Sequence, residues 1–163
     1  MDFEERLERA IARGQRTRDR RGQEEAERAM TEAEMRNLHS RCRLELSEHI
    51  ENCLRSLVER FPGFDFKTVL HEGGWGAQVS RDDIIVSSAQ RRPQSFYSRL
   101  EMVIRPFTNT HIVELAAKAT IRNKELFNRS YYQKLSEIDL PSFIEVIDQW
   151  VLEFAERFSA EGP

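Results

Sequence analysis

Four residues in the first half of the chain have side chains of the kind that hold transition metals: His39, Cys42, His49 and Cys53. If one helix carries them, 100° per residue places all four within about 80° of one another. The rise along that helix sets His39 about 21 Å from Cys53, too far for a single site. Two half-sites remain, His39/Cys42 and His49/Cys53, and each needs ligands from elsewhere. The same face carries Leu46, Ile50 and Leu57, and histidine or cysteine on an apolar stripe is usually core. The expectation is therefore no metal, no cofactor and no catalytic residue.

Other arrangements that could do chemistry are weaker. His71-Glu72-Gly73-Gly74-Trp75-Gly76 sets a histidine beside a carboxylate in a glycine-rich stretch. No Gly-Lys-Ser/Thr follows, and the stretch lies between strands rather than before a helix, so it does not cradle phosphate. Adjacent strand residues point to opposite faces, so His71 and Glu72 do not converge. A tight turn explains the glycines, and Trp75 between them is the one aromatic to watch as a binding residue. Ser87, Ser88 and Ser95 lie outside any Gly-x-Ser-x-Gly elbow.

The cations carry more information. Arg13, Arg16, Arg18, Arg20 and Arg21 crowd one short stretch with only Asp19 opposing them. Together with Arg91 and Arg92 they form a candidate surface for phosphates. Tyr97, Arg99, Arg105, Arg122, Lys124 and Arg129 add the aromatic and cationic mix of some RNA-binding sheets. Glu101 and Glu114 interrupt that mix, and no RNA-recognition signature appears. Cross-strand ion pairs account for the same pattern.

Elements must position these groups. The 163 residues are one domain's worth. The net charge of −3 gives no general attraction to nucleic acid. With 33% charged and 39% hydrophobic residues, a membrane protein and a disulfide scaffold are disfavoured. The acidic start is unlike a secretory signal, and no apolar run approaches the roughly 18 residues of a membrane helix. Free cysteines then point to a reducing cytoplasm.

Residues 1–30 read as a mobile charged arm, because nothing large and apolar follows Ile11 until Met30 and Gly14 and Gly22 interrupt it. There is room in it for a short frayed helix over Phe3–Ala12. Thr31-Glu32-Ala33-Glu34 has capping-box spacing and starts a helix. Leu46, Ile50, Cys53, Leu54, Leu57 and Phe61 share one helical face, which Pro62-Gly63 ends. Two readings stand: one helix from Glu32 to Arg60, or a break near Leu44–Leu46, where the pattern alternates. Strands follow at Phe64–Leu70, Trp75–Ser80, Ile84–Ser88, Ser95–Phe107, His111–Ile121 and Glu125–Leu135. Arg81-Asp82-Asp83 and Asn123-Lys124 read as turns, and Arg91-Arg92-Pro93 as a loop. Asp139-Leu140-Pro141 starts a last helix with the stripe Phe143, Ile147, Trp150, Val151, Phe154 and Phe158. The fold class is α+β: a two-layer sandwich of five or six antiparallel strands with an N-terminal and a C-terminal helix, over residues 31–160.

Leu46-Ser47-Glu48-His49-Ile50, Gly74-Trp75-Gly76, Tyr97–Val103, Thr120–Glu125 and Trp150-Val151-Leu152-Glu153 together resemble a group of planctomycete-type bacterial proteins of unknown function. The resemblance spans residues 31–160 and implies a cytoplasmic bacterial setting, with no activity or ligand attached. At the level of architecture, small acidic secretion chaperones and frataxin-like proteins are similar. Frataxin-type iron binding needs a run of carboxylates on the first helix, whereas Glu45, Glu48, Glu51 and Glu59 are interleaved with Arg43, Arg55 and Arg60. The expected function is a non-catalytic binding or adaptor domain, homodimeric or with a protein partner. A nucleic-acid-associated protein using the basic arm is the alternative, and an enzyme comes third.

Overall fold

Thr31 begins the long second helix: its hydroxyl accepts the Glu34 backbone N–H at 3.1 Å. In the computed structural model, which describes residues 2–28, 31–86 and 92–161, the order is α1 (Phe3–Arg28), α2 (Glu32–Arg60), β1 (Asp65–His71), β2 (Gly74–Val86), β3 (Pro93–Ile104), β4 (Ile112–Ile121), β5 (Lys124–Lys134) and α3 (Leu140–Ala160). A single 3-10 turn at Leu135–Glu137 precedes α3. The α+β arrangement is as expected, with five antiparallel strands in the order β1-β2-β3-β4-β5. The chain divides into two compact units, 1–35 and 36–163.

In the first unit, α1 continues well past Ala12, through Gly14 and Gly22 to Arg28. Asp2 accepts the Glu5 N–H at 2.9 Å and caps it. The segment is rich in Ala, Arg, Glu and Gln, whose helix propensity outweighs two glycines costing about 1 kcal/mol each.

In the second unit, α2 is continuous through Leu44–Leu46. His39, Cys42, Leu46, Ile50, Leu54 and Leu57 form its buried stripe, while Leu44 is exposed. The alternation that suggested a break reflects only that outward Leu44. Within the continuous helix, the Ser47 hydroxyl donates back to the Leu44 carbonyl at 3.2 Å. The face of the sheet against the helices is built in register. Ala77, Met102 and Ala117 form one row, and Val79, Leu100 and Ala119 the next. All six are buried. Phe143, Ile147, Val151, Phe154 and Phe158 close this face from α3, each worth about 1.5–3 kcal/mol as buried apolar surface.

Two strand expectations need correction. Arg81-Asp82-Asp83 is not a turn; it lies inside a single 13-residue β2. Arg81 and Asp83, two apart on one face, pair at 2.8 Å, and Asp82 accepts from the Ser95 hydroxyl across the ladder. The charges are thus satisfied within the strand, and the sheet has no sixth strand among the described residues. The turn before β5 falls at Arg122–Asn123, with φ of 49° and 70°, one residue earlier than the spacing suggested. Asn123 tolerates this conformation and its side chain holds β3, accepting the Tyr97 N–H and donating to the Ser95 carbonyl, both at 2.8 Å.

The outer face of the sheet is polar but not entirely. Arg99 donates to Gln78 at 2.8 Å and pairs with Glu101. Val103 is buried there with Val69, the two flanking Gly76 in register. No described helix is long and apolar enough to cross a membrane.

Candidate functional site

Position 49 and position 53 are one helical turn apart, so their side chains leave α2 side by side. Both sit at the border of the buried stripe, next to Ile50 and Leu54. The flank of α3 beside Ile147 brings Asp148 to the same point. His49 Nε2 lies 2.7 Å from Asp148 Oδ1. Cys53 Sγ lies 3.4 Å from His49 Nε2 and 3.4 Å from the same Asp148 oxygen. Ser56, Val151 and Leu152 complete a shallow cleft around Cys53 and Asp148. The histidine and aspartate side chains are 28% and 46% exposed, so the group is open on one side.

The protons can be placed from these contacts. A carboxylate only accepts, so His49 donates from Nε2 and Cys53 donates its S–H to the same Oδ1. Burial first, then the hydrogen bond and charge of Asp148, push the Cys53 thiol up to about 12. Such a thiol is inert as a nucleophile at neutral pH. A cysteine relay needs the thiol on one imidazole nitrogen and the orienting carboxylate on the other. Here both converge on Nε2. The three donor atoms all lie within 4.8 Å of one another, an arrangement suited to coordination rather than proton relay.

Only one of the two half-sites anticipated from the sequence gains a third ligand. His39 and Cys42 are buried, with no further metal-ligating partner among the described residues. His39 packs edge-on against Phe107, and burial lowers its pKa. Burial likewise raises that of Cys42. Both cysteines are free thiols. The ligand missed in the sequence is Asp148, which carries no signal except its place beside a core position of α3.

The other candidates are scattered. Trp75 is a half-buried strand residue of β2 rather than a loop aromatic, and the Arg43 guanidinium lies 4.1 Å from its ring centre. His71 folds over the Glu72–Gly73 turn, accepting the Gly73 N–H at 2.8 Å, and reaches Glu101 only at 3.9 Å. Arg92 is exposed just before β3, and Arg91 lies outside the described residues. On α1, the helix re-sorts the arginines. Arg13, Arg16 and Arg20 share a stripe about 80° wide with Arg6 and Arg9, while Arg18 and Arg21 point elsewhere. The sequence reading missed Arg6 and Arg9 because it carried no helix past Ala12, so nothing put them on one face with Arg13, Arg16 and Arg20. No family model, no curated protein and no solved structure matches the chain.

Proposed function

We propose that the chain is a non-catalytic binding domain that works through protein contact, with a second copy of itself as partner. One observation carries this. The β2–β3 ribbon outruns its neighbours: β1 pairs with β2 only as far as Ser80, and β4 with β3 only as far as Arg99. Beyond Ser80, no described strand lies along the second edge of β2. Ile84, Ile85 and Val86 there are 68%, 43% and 70% exposed. A β-branched edge of this kind is a template for strand pairing, and an antiparallel edge meets its own copy across a twofold axis. The inert geometry around Cys53 supports the non-catalytic part. The two free thiols support a reducing cytoplasm as the setting.

Light scattering at tens of micromolar should give the mass of two chains. The double variant Ile84→Lys, Val86→Lys should give the mass of one, with an unchanged circular dichroism spectrum. A one-chain mass for the unaltered protein overturns the proposal.

The arginine stripe favours a second reading, binding of nucleic acid through α1. Arg6, Arg9, Arg13, Arg16 and Arg20 run along about 21 Å of one face. All five are exposed, and none has an ion pair among the described residues. Five phosphate contacts on duplex DNA would give a log–log salt slope of about −4.5. On this reading, changing the five arginines to glutamine abolishes the salt-sensitive binding. Absence of such binding by the unaltered chain removes it.

A further inference from the structure

We propose that His49, Cys53 and Asp148 form a binding site for a borderline-soft divalent cation, with Zn²⁺ as its representative, clamped between α2 and α3. The argument starts from distances. Zinc–ligand lengths of about 2.0–2.1 Å for nitrogen, 2.0–2.2 Å for oxygen and 2.3 Å for sulfur fix the edges of a tetrahedron. Those edges are about 3.5 Å for nitrogen to sulfur, 3.5 Å for sulfur to oxygen and 3.3 Å for nitrogen to oxygen. The two sulfur edges in the structure are both 3.4 Å. The third is 2.7 Å, so imidazole and carboxylate need only part by about 0.6 Å to admit the ion. The two sulfur edges, now spanned by hydrogen bonds, therefore need no change on binding.

Ligand chemistry narrows the ion. Thiolate and imidazole favour zinc and its neighbours, while magnesium and calcium require oxygen donors. The backbone is rigid at both sides: Ile50 and Leu54 on α2 and Ile147 on α3 are fully buried beside the ligands. Three protein ligands leave one coordination position, facing the cleft at Ser56 and Leu152. Binding exchanges protons for the ion in a defined way. The Cys53 S–H proton leaves to solvent as the zinc–sulfur bond forms. The His49 proton moves from Nε2 to Nδ1 by exchange with water, so the net release is one proton per ion.

The site shares no residue with the β2–β3 ribbon, so its test and the test of self-association are independent. The full chain is loaded with Co²⁺ as a spectroscopic stand-in, then titrated with Zn²⁺. The expected result is a sulfur-to-cobalt charge-transfer band, displaced by one equivalent of zinc per chain, and a thermal midpoint raised by zinc but not by Mg²⁺. Cys53→Ser should remove the band, and Asp148→Asn should weaken zinc by more than about 100-fold, beyond what loss of a mere supporting hydrogen bond costs. Both side chains are partly exposed, so both variants should fold, as circular dichroism will verify. Cys42→Ala should keep the band. No band in the unaltered protein, a band that survives Cys53→Ser, or a band lost in a folded Cys42→Ala each overturns the assignment.

Discussion

Phe154→Ala should lower the unfolding free energy by about 3–5 kcal/mol, a large part of the roughly 5–15 kcal/mol that holds a domain of this size together. Phe154 is fully buried within an aromatic cluster. Its ring lies 6.0 Å from Phe64, which leads into β1, and 6.1 Å from Phe158, one turn further along α3. Phe158 in turn meets Phe61 at the end of α2 with a ring separation of 5.3 Å. Truncation at position 154 opens a cavity where helix, strand and helix converge, and none of the three can collapse into it without shifting the other two. Trp150→Ala makes the informative comparison. Trp150 is only half-buried and touches Phe127 at 6.2 Å, so its loss should cost clearly less despite the larger side chain. Urea midpoints of the two variants test the ordering; an equal or smaller shift for Phe154→Ala contradicts this packing.

Gly76→Ala should be as severe, at or above about 3 kcal/mol, the top of the usual cost of overpacking. A Cβ at position 76 would overlap the Met102 carbonyl oxygen and lie 2.8 Å from the Val103 Cα. Both are backbone atoms of β3, so relief means breaking the β2–β3 ladder. Gly22→Ala is the counterpart: a Cβ there meets nothing within 4 Å, and the helix should gain about 0.5–1 kcal/mol. Circular dichroism during a urea titration separates the two; a near-wild-type midpoint for Gly76→Ala shows that the strands do not approach so closely.

The contrast between these glycines explains what could be read from the chain alone. Buried stripes with one strict period were legible. Phe143, Ile147, Val151, Phe154 and Phe158 on α3, and Val113, Leu115, Ala117, Ala119 and Ile121 on β4, are buried as their spacing requires. Local capping was legible too, because Thr31 and Glu34 interact within four residues. Features that depend on a distant partner were not. Arg81-Asp82-Asp83 looks like turn chemistry until β3 lies alongside to pair with it. Gly76 looks like part of a turn until Val69 and Val103 flank it. His49 and Cys53 announced themselves by spacing, but Asp148 is 99 residues from one and 95 from the other. No local pattern can connect residues that only the docking of α3 on α2 brings together.

The strand order, identical to the chain order, also sets a timetable for synthesis. Each strand pairs with the one made just before it, so the sheet grows hairpin by hairpin as the chain emerges. The helix-facing side stays half covered throughout, since α2 is made before the strands and α3 after them. A ribosome-bound chain lacking residues 140–160 therefore presents Phe64, Phe127 and Tyr131, whose ring partners lie on α3, to whatever surrounds it, the condition in which a nascent domain needs a chaperone or risks sticking to its neighbours. The 21 residues of α3 act as a latch. Because the same latch delivers Asp148, the cluster with His49 and Cys53 forms only once α3 has docked on α2.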